Sequence, residues 1–192
     1  MEISQQEKNL YAAVGIHPDE CADSSTNDLH ITTLKNLLNQ NTHKKIVAVG
    51  ECGLDYYRLP ADQQEQKVIK QNQKIMFKHQ IELARQYDVP VIIHCRDIHE
   101  HAYNDVLSIV KVYPGTRFIL HCMSGSREYL QEALKLGGYI SFAANLTYRN
   151  AAALRNLAKN TLKNRILLET DAPFLSPQSK RGKTNEPAFI IE

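Results

Sequence analysis

The sequence lacks most of the signatures that assign a protein to a functional class at once. It contains no tryptophan, no P-loop, no dinucleotide-binding fingerprint and no G-x-S-x-G elbow. No apolar run is long enough to span a bilayer, and the polar start MEISQQEKNL lacks the apolar stretch of a secretory signal. We therefore expect a cytoplasmic protein without a membrane partner, while a nuclear or other intracellular location stays open.

Charge and cysteine content are too low to identify a partner. The formal net charge of the 192 residues is +2, which neither requires nor excludes nucleic acid. The four cysteines fit no C-x-x-C site, and an intracellular location argues against a disulfide framework. A chain of this length buries one sizeable core, so we expect a single domain over residues 1–192.

What the sequence does contain is a regular alternation of two kinds of segment. Short apolar, β-branched runs occur at 11–18, 45–53, 89–97, 116–125, 137–146 and 164–173. Segments of helical period separate them, and one of these, 73–87, places an apolar stripe at Ile75, Met76, His79, Leu83 and Ala84. This alternation predicts an α/β fold with a parallel sheet.

Several of the predicted strands close on a residue that can bind metal or move a proton. The run that begins at Ile46, for example, is predicted to stop at Gly50 and to present Glu51. The full set is His17, Glu51, His94, His121 and Asp171. Their spacing is of the order of one βαβ unit, roughly 30 or more residues, with a further strand before the last. All five are therefore expected at the carboxyl end of the sheet, where α/β proteins place their sites.

Two histidines with a glutamate and an aspartate at one edge predict a metal site. Imidazole and carboxylate ligands suit Zn, Mn, Fe or Ni, and Mg where carboxylates and water dominate. A rival interpretation makes Cys52, Cys95 and Cys122 the ligands, since each follows a candidate ligand. Strand alternation disfavours it, because side chains at successive positions point to opposite faces. The same alternation puts Arg96 on the face of His94.

Two further segments carry residues suited to nucleic acid. The loop 176–187 holds Lys180, Arg181 and Lys183 and is either a phosphate-binding loop or a solvated basic loop. Tyr56 and Tyr57 follow Glu51 closely and are interpreted as packing residues, with stacking on a base as the alternative.

Taken together, the motifs resemble the TatD family of metal-dependent deoxyribonucleases. The matching stretches are VGIHPDE, VAVGECGLDYYR, PVIIHCRD, FILHCMSG and LLETDAPFLSP through RGKTNEP, in family order. The resemblance implies a TIM-barrel-like (β/α)₈ metal-dependent hydrolase fold and hydrolysis of DNA, typically as a 3′-5′ exonuclease. It also implies one or two divalent ions, with Mg²⁺ expected for activity and Mn²⁺ or Zn²⁺ as alternatives.

The resemblance also implies roles for individual residues. The implied metal ligands are Glu51, His94, His121 and Asp171, of which Glu51 bridges two ions. Glu51 and Asp171 are the implied catalytic residues. Asp171 is implied to bind either the second ion or the attacking water. The implied substrate-binding residues are His17, Arg96, Arg181 and Asn185.

Parts of the family pattern have no counterpart in the sequence. The first strand with its H-x-H pair and the C-terminal helices are missing, so we expect an incomplete barrel of about six of the eight strands. An open sheet has exposed edges, which predicts lower stability and association through them. No stable protein partner is inferred.

Three functions are consistent with this sequence. The first is a metal-dependent DNase, with DNA as substrate. The second is a metallohydrolase of a small molecule on the same barrel, because a fold does not determine its substrate. The third is a catalytically inactive, truncated family member that only binds metal or a partner.

Overall fold

The computed structural model describes residues 2–23, 25, 27–42 and 44–192. Its contacts divide the chain into two compact units, the first ending at Phe118 and the second running from Ile119 to Glu192. Among the residues described, no helix combines the length and the apolar character that crossing a bilayer requires.

The first unit is built on parallel strands with helices between them. Its strands are β1 (Ala12–Val14), β2 (Ile46–Asp55) and β3 (Val91–Arg96), with β2 paired in parallel to both others. Its helices are α1 (Glu2–Gln6), α2 (Asn27–Asn39), α3 (Gln63–Gln86) and α4 (His101–Val112), with a 3₁₀ turn at Pro18–Cys21.

The second unit continues the same alternation. Its strands are β4 (Phe118–Leu120, which begins on the last residue of the first unit), β5 (Tyr139–Phe142) and β6 (Ile166–Leu168). β5 pairs in parallel with both β4 and β6. The helices are α5 (Arg127–Lys135) and α6 (Ala152–Asn160), and 3₁₀ turns lie at Ala144–Thr147, Gln178–Lys180 and Pro187–Ile191.

Each apolar run of the sequence overlaps one of these six strands, and only β2 extends beyond its run, so the predicted α/β, TIM-barrel-like class is confirmed. Helices alternate with strands and every strand pair given above is parallel. Such pairing needs a crossover between strands, which the amphipathic helices supply.

Strand β2 does not stop at Gly50, contrary to the prediction. It continues to Asp55, and its register against β3 shifts between Val49 and Cys52. A Cβ on Gly50 would lie 2.6 Å from Cβ of Ile92, so only glycine lets the two strands approach here. This bulge exposes Glu51 while its neighbours stay buried, because the extra residue falls out of the ladder.

Helix α3 buries a face that differs from the apolar stripe predicted for it. Met76, Leu83 and Ala84 are buried as expected, but Ile75 and His79 are only half-buried. Two glutamines take part in the buried face instead, Gln73 at 2% and Gln80 at 1% exposure. Their burial is tolerated because both side-chain amides are hydrogen-bonded to main chain, Gln73 to Asp55 and Gln80 to Ile16.

Candidate metal centre

Gln80 of α3 holds the segment that carries His17. Its amide oxygen accepts a bond from the Ile16 amide at 2.7 Å, and its nitrogen donates to the Ile16 carbonyl at 3.0 Å. The His17 ring then lies 4.5 Å from the His94 ring, measured between centroids, in an edge-on arrangement. His17 is thus fixed beside β3 although it lies three residues beyond the end of β1.

Glu51 and His94 face each other across β2 and β3. Nδ1 of His94 lies 4.0 Å from Oε2 of Glu51. One ligand atom each from His17, Glu51 and His94 lies within 4.8 Å of the others. Three of the predicted site residues therefore come together in the first unit.

The other ring nitrogen of His94 is held by Asp55, a residue that the sequence analysis did not select. Nε2 of His94 lies 3.1 Å from Oδ2 of Asp55, whose side chain is 2% exposed. The second oxygen of Asp55 accepts the Tyr57 amide at 2.9 Å. Gln73 clamps the main chain of Asp55 by bonds of 3.0 and 3.1 Å. Asp55 thereby presents Nδ1 of His94 toward Glu51.

The charges around this group favour an ionised Asp55 and a neutral His17. Burial raises the pKa of Asp55, but hydrogen bonds from His94 and the Tyr57 amide outweigh it, and the pKa lies below its ordinary value. Burial, with the neighbouring His94, lowers the pKa of His17. A neutral imidazole is the form that binds a metal or donates a single hydrogen bond.

The second unit repeats this pairing with different residues. Nδ1 of His121 lies 3.3 Å from Oε1 of Glu169, and the other oxygen of Glu169 accepts the Ser141 hydroxyl at 2.8 Å. Burial raises the pKa of Glu169, but hydrogen bonds from His121, Ser141 and the Cys122 amide outweigh this effect. The pKa therefore lies below its ordinary value and the carboxyl is ionised. Nε2 of His121 is the nitrogen that remains on the side away from Glu169.

Asp171 lies in the loop that follows β6, close to His121. A carboxylate oxygen of Asp171 and a ring nitrogen of His121 lie within 4.8 Å of each other. Asp171 has a positive φ of 57°, a conformation that non-glycine residues adopt mainly at turns and functional sites.

Asn185 holds the loop of Asp171 in place through two hydrogen bonds. Its side-chain nitrogen donates to the carbonyls of Thr170 and Phe174 at 2.6 and 2.5 Å, and the residue is 3% exposed. Both hydrogens of the Asn185 amide are directed to main chain, which gives this residue a positioning role, and its contact with substrate stays a prediction.

The two predicted arginines each lie on a tyrosine ring. Cζ of Arg96 is 3.9 Å from the centre of the Tyr57 ring, and Cζ of Arg181 is 4.3 Å from the centre of the Tyr148 ring. Tyr56 is different, since it is buried and donates its hydroxyl to Asp105 at 2.9 Å. The packing interpretation thus fits Tyr56, whereas Tyr57 is 48% exposed.

The first unit does not support thiolate ligands. Its candidate metal group contains no cysteine among the described residues. Cys52 is fully buried and its Sγ lies 3.8 Å from the carbonyl oxygen of Ile92, and burial raises the pKa of this thiol so that it stays protonated.

The donor set fits a divalent metal ion. Histidines that bind metal usually donate their second ring nitrogen to a carboxylate, which fixes the tautomer, and both His94 and His121 have such a carboxylate. The sequence places these two carboxylates near predicted ligands but does not pair them with their histidines. Asp55 follows Glu51 by four positions on the same strand and Glu169 precedes Asp171 by two, both at strand ends.

Comparison with known proteins identifies the family. The whole chain, residues 1–192, matches the family model described as TatD related DNase. It is 38% identical over 192 residues to the Bacillus subtilis protein named uncharacterized metal-dependent hydrolase YabD, covering 99% of this chain and 69% of the relative. It is 32% identical over 196 residues to the Enterobacter lignolyticus protein named 3′-5′ ssDNA/RNA exonuclease TatD, covering 99% and 70%.

A solved structure agrees with these relatives. The TatD homologue YjjV of Escherichia coli K12 superposes with a TM-score of 0.83 at 29% identity, over 98% of this chain and 68% of that one. Including further metal-dependent hydrolases that it matches, the chain spans 64% to 70% of the length of its curated relatives. The chain therefore belongs to the TatD family of metal-dependent hydrolases.

Proposed function

We propose that the protein is a metal-dependent deoxyribonuclease that removes nucleotides from the 3′ end of single-stranded DNA. The observation that carries the proposal is the group of His17, Glu51 and His94, with His94 oriented by the buried Asp55. The name of the Enterobacter relative, an exonuclease on single-stranded DNA and RNA, supports nucleic acid as the substrate.

The proposed metal ligands are Glu51, His94, His121 and Asp171. In the first unit Glu51 and Nδ1 of His94 supply an oxygen and a nitrogen, and in the second unit Nε2 of His121 and Asp171 supply the same pair of donors. A bound divalent ion would supply a water of lowered pKa and would neutralise negative charge on the phosphoryl oxygens. Mixed nitrogen and oxygen donors are compatible with Mg²⁺, Mn²⁺ or Zn²⁺.

Asp171 has a second proposed role, on the proton of the attacking water, and His17 is proposed to act on the phosphate. Asp171, with the carboxylate oxygen not given to metal, would orient the attacking water and accept its proton as the water oxygen bonds to phosphorus. A P–O ester bond breaks in the same step, and the leaving oxygen takes a proton from bulk water. Nδ1 of His17 accepts the Asp19 amide at 3.2 Å, so neutral His17 carries its proton on Nε2. We propose that this N–H donates a hydrogen bond to the scissile phosphate.

Arg96 and Arg181 complete the proposed substrate contacts. A guanidinium can stack on an aromatic ring by its face and still bind phosphate by its edge, and both arginines are stacked in this way. Asn185 contributes indirectly by holding the loop of Asp171.

The test is hydrolysis of a 5′-labelled single-stranded oligonucleotide with Mg²⁺, Mn²⁺ or Zn²⁺, and with EDTA in place of metal. Activity should require metal and should be lost in Glu51→Gln and His94→Ala. Glu65→Gln, at an exposed glutamate of α3, is the matched control and should keep full activity. Equal activity in the wild type and both site variants would refute the assignment, as would metal-independent cleavage.

A further inference from the structure

Tyr57 is the exposed aromatic residue that lies immediately beside the candidate metal group of the first unit. Its amide donates to Oδ1 of Asp55 at 2.9 Å, and Oδ2 of the same carboxylate lies 3.1 Å from His94. A single carboxylate thus separates the Tyr57 main chain from a proposed metal ligand. Yet 48% of Tyr57 is exposed, so its ring is not accounted for by core packing.

Arg96 supports one face of this ring. Its guanidinium carbon lies 3.9 Å from the ring centre, within the range of a cation–π contact. Arg96 follows His94 by two positions at the end of β3, so the strand that presents the metal ligand also fixes the position of the ring. Two contacts therefore hold Tyr57: the Asp55 carboxylate binds its main-chain amide, and Arg96 lies over its ring.

The surroundings of Tyr57 are suited to a nucleotide. Arg58, the next residue, is 65% exposed at its side chain and lies 3.7 Å from Asp19, which borders His17. Two cations therefore accompany Tyr57, Arg96 over its ring and Arg58 at the next position of the chain. Single-stranded nucleic acid is bound by this combination of aromatic planes that stack on bases and basic groups that follow the backbone.

We propose that Tyr57, supported by Arg96, is the platform on which the base at the cleaved end of the DNA stacks. This inference rests on the proposed nuclease function and deepens it, since it names the nucleobase as a recognised part of the substrate. Stacking uses the π-face that every base has, so the platform selects for the presence of a base and not for its identity.

The experiment compares oligonucleotides whose 3′-terminal residue carries a base with ones whose 3′-terminal residue is abasic. Affinity is measured by fluorescence anisotropy of 5′-labelled strands in EDTA, and hydrolysis is measured separately with metal. Wild-type protein should bind the base-bearing strand about tenfold or more tightly than the abasic strand. Tyr57→Leu should remove this preference, and Tyr57→Phe should keep it.

Tyr139 offers a matched control within the chain. It is also exposed, at 38%, and also lies under an arginine, with Cζ of Arg165 at 4.8 Å, but it stands at the amino end of β5. Tyr139→Leu should keep the base preference of the wild type. Isothermal titration with Mn²⁺ should give the same metal affinity for wild type and Tyr57→Leu, which separates loss of the platform from damage to the metal site.

The outcomes distinguish this inference from the proposed function. If the wild type hydrolyses DNA and Tyr57→Leu keeps the base preference, the platform is wrong and the nuclease assignment stands. If the wild type shows no metal-dependent hydrolysis but a base preference that depends on Tyr57, the nuclease assignment is wrong and Tyr57 remains a platform for the 3′-terminal base. An equal affinity of the wild type for both strands overturns the platform in either case.

Discussion

The two units of the chain each place a histidine against a carboxylate, but they use opposite ring nitrogens. In the first unit Nε2 of His94 contacts Asp55, and in the second Nδ1 of His121 contacts Glu169. The nitrogen on the far side of the ring, which is the one a metal would take, is therefore Nδ1 in one unit and Nε2 in the other. Both histidines precede a cysteine at a strand end, so the local sequence does not distinguish them.

The carboxylates also differ in how they are anchored. Oδ1 of Asp55 is held by the main-chain amide of Tyr57, which no side-chain substitution removes. The corresponding oxygen of Glu169 is held by the hydroxyl of Ser141, although the Cys122 amide also bonds this carboxyl group. Asp55 is the more buried of the two, with 2% of its side chain exposed against 23% for Glu169. We infer that the first unit holds its histidine more rigidly than the second does.

The largest effect is expected from removing the histidines themselves. His94→Ala and His121→Ala should each lower metal affinity by more than about 100-fold, because a ligand contributes more than the residue that orients it. Isothermal titration with Mn²⁺ and Zn²⁺ measures this directly. His99→Ala, at an exposed histidine just before α4, is the control. A variant at either site that binds metal like the wild type would remove that histidine from the site.

Replacing the orienting carboxylates should produce the next largest effect. Asp55→Asn and Glu169→Gln keep the shape of each side chain but remove the charge that fixes the histidine tautomer. Metal affinity should fall by about 10–100-fold, and more for Asp55 because it is more deeply buried. If both variants bind metal as tightly as the wild type, the two carboxylates are not positioning residues.

Acid should destabilise the metal-free protein through the same two carboxyls. Their pKa values are lowered on folding, so the stability they contribute is present above the ordinary values of about 4 and is lost as the pH falls through the lower, folded values. Each contribution is of the order of a charged hydrogen bond, about 1.5–3 kcal/mol. Urea unfolding between pH 5 and pH 3 should show a steeper loss for the wild type than for Asp55→Asn.

The smallest effect is expected from Ser141→Ala. This change removes one of the bonds to Glu169 and should cost about 1 kcal/mol of stability and less than about tenfold in metal affinity. Thr147→Ala, which removes a hydroxyl that accepts the Gln178 amide in the same unit, is the control and should leave metal affinity unchanged. A loss at Ser141 as large as that at Glu169 would contradict the inferred difference in anchoring.

Much of the fold was accessible from the sequence because it depends on repeated patterns. Six apolar runs predicted the six strands. The bulge at Gly50 and Glu51 was missed, because it depends on the close approach of Ile92 from a neighbouring strand. Gln73 and Gln80 were also missed on the buried face of α3, since their partners are main-chain groups distant in sequence.

The order of residues along the chain places chemistry-bearing side chains at strand ends, among them Glu51, His94 and His121, and so identifies the elements that could build a site. Periodicity suffices for this, because a strand places its residues at known intervals and directions. Packing in the folded chain establishes which nitrogen each histidine presents, which carboxylates orient the two histidines and which of two adjacent tyrosines is exposed. These features depend on contacts between residues far apart in the chain, and no local pattern encodes them.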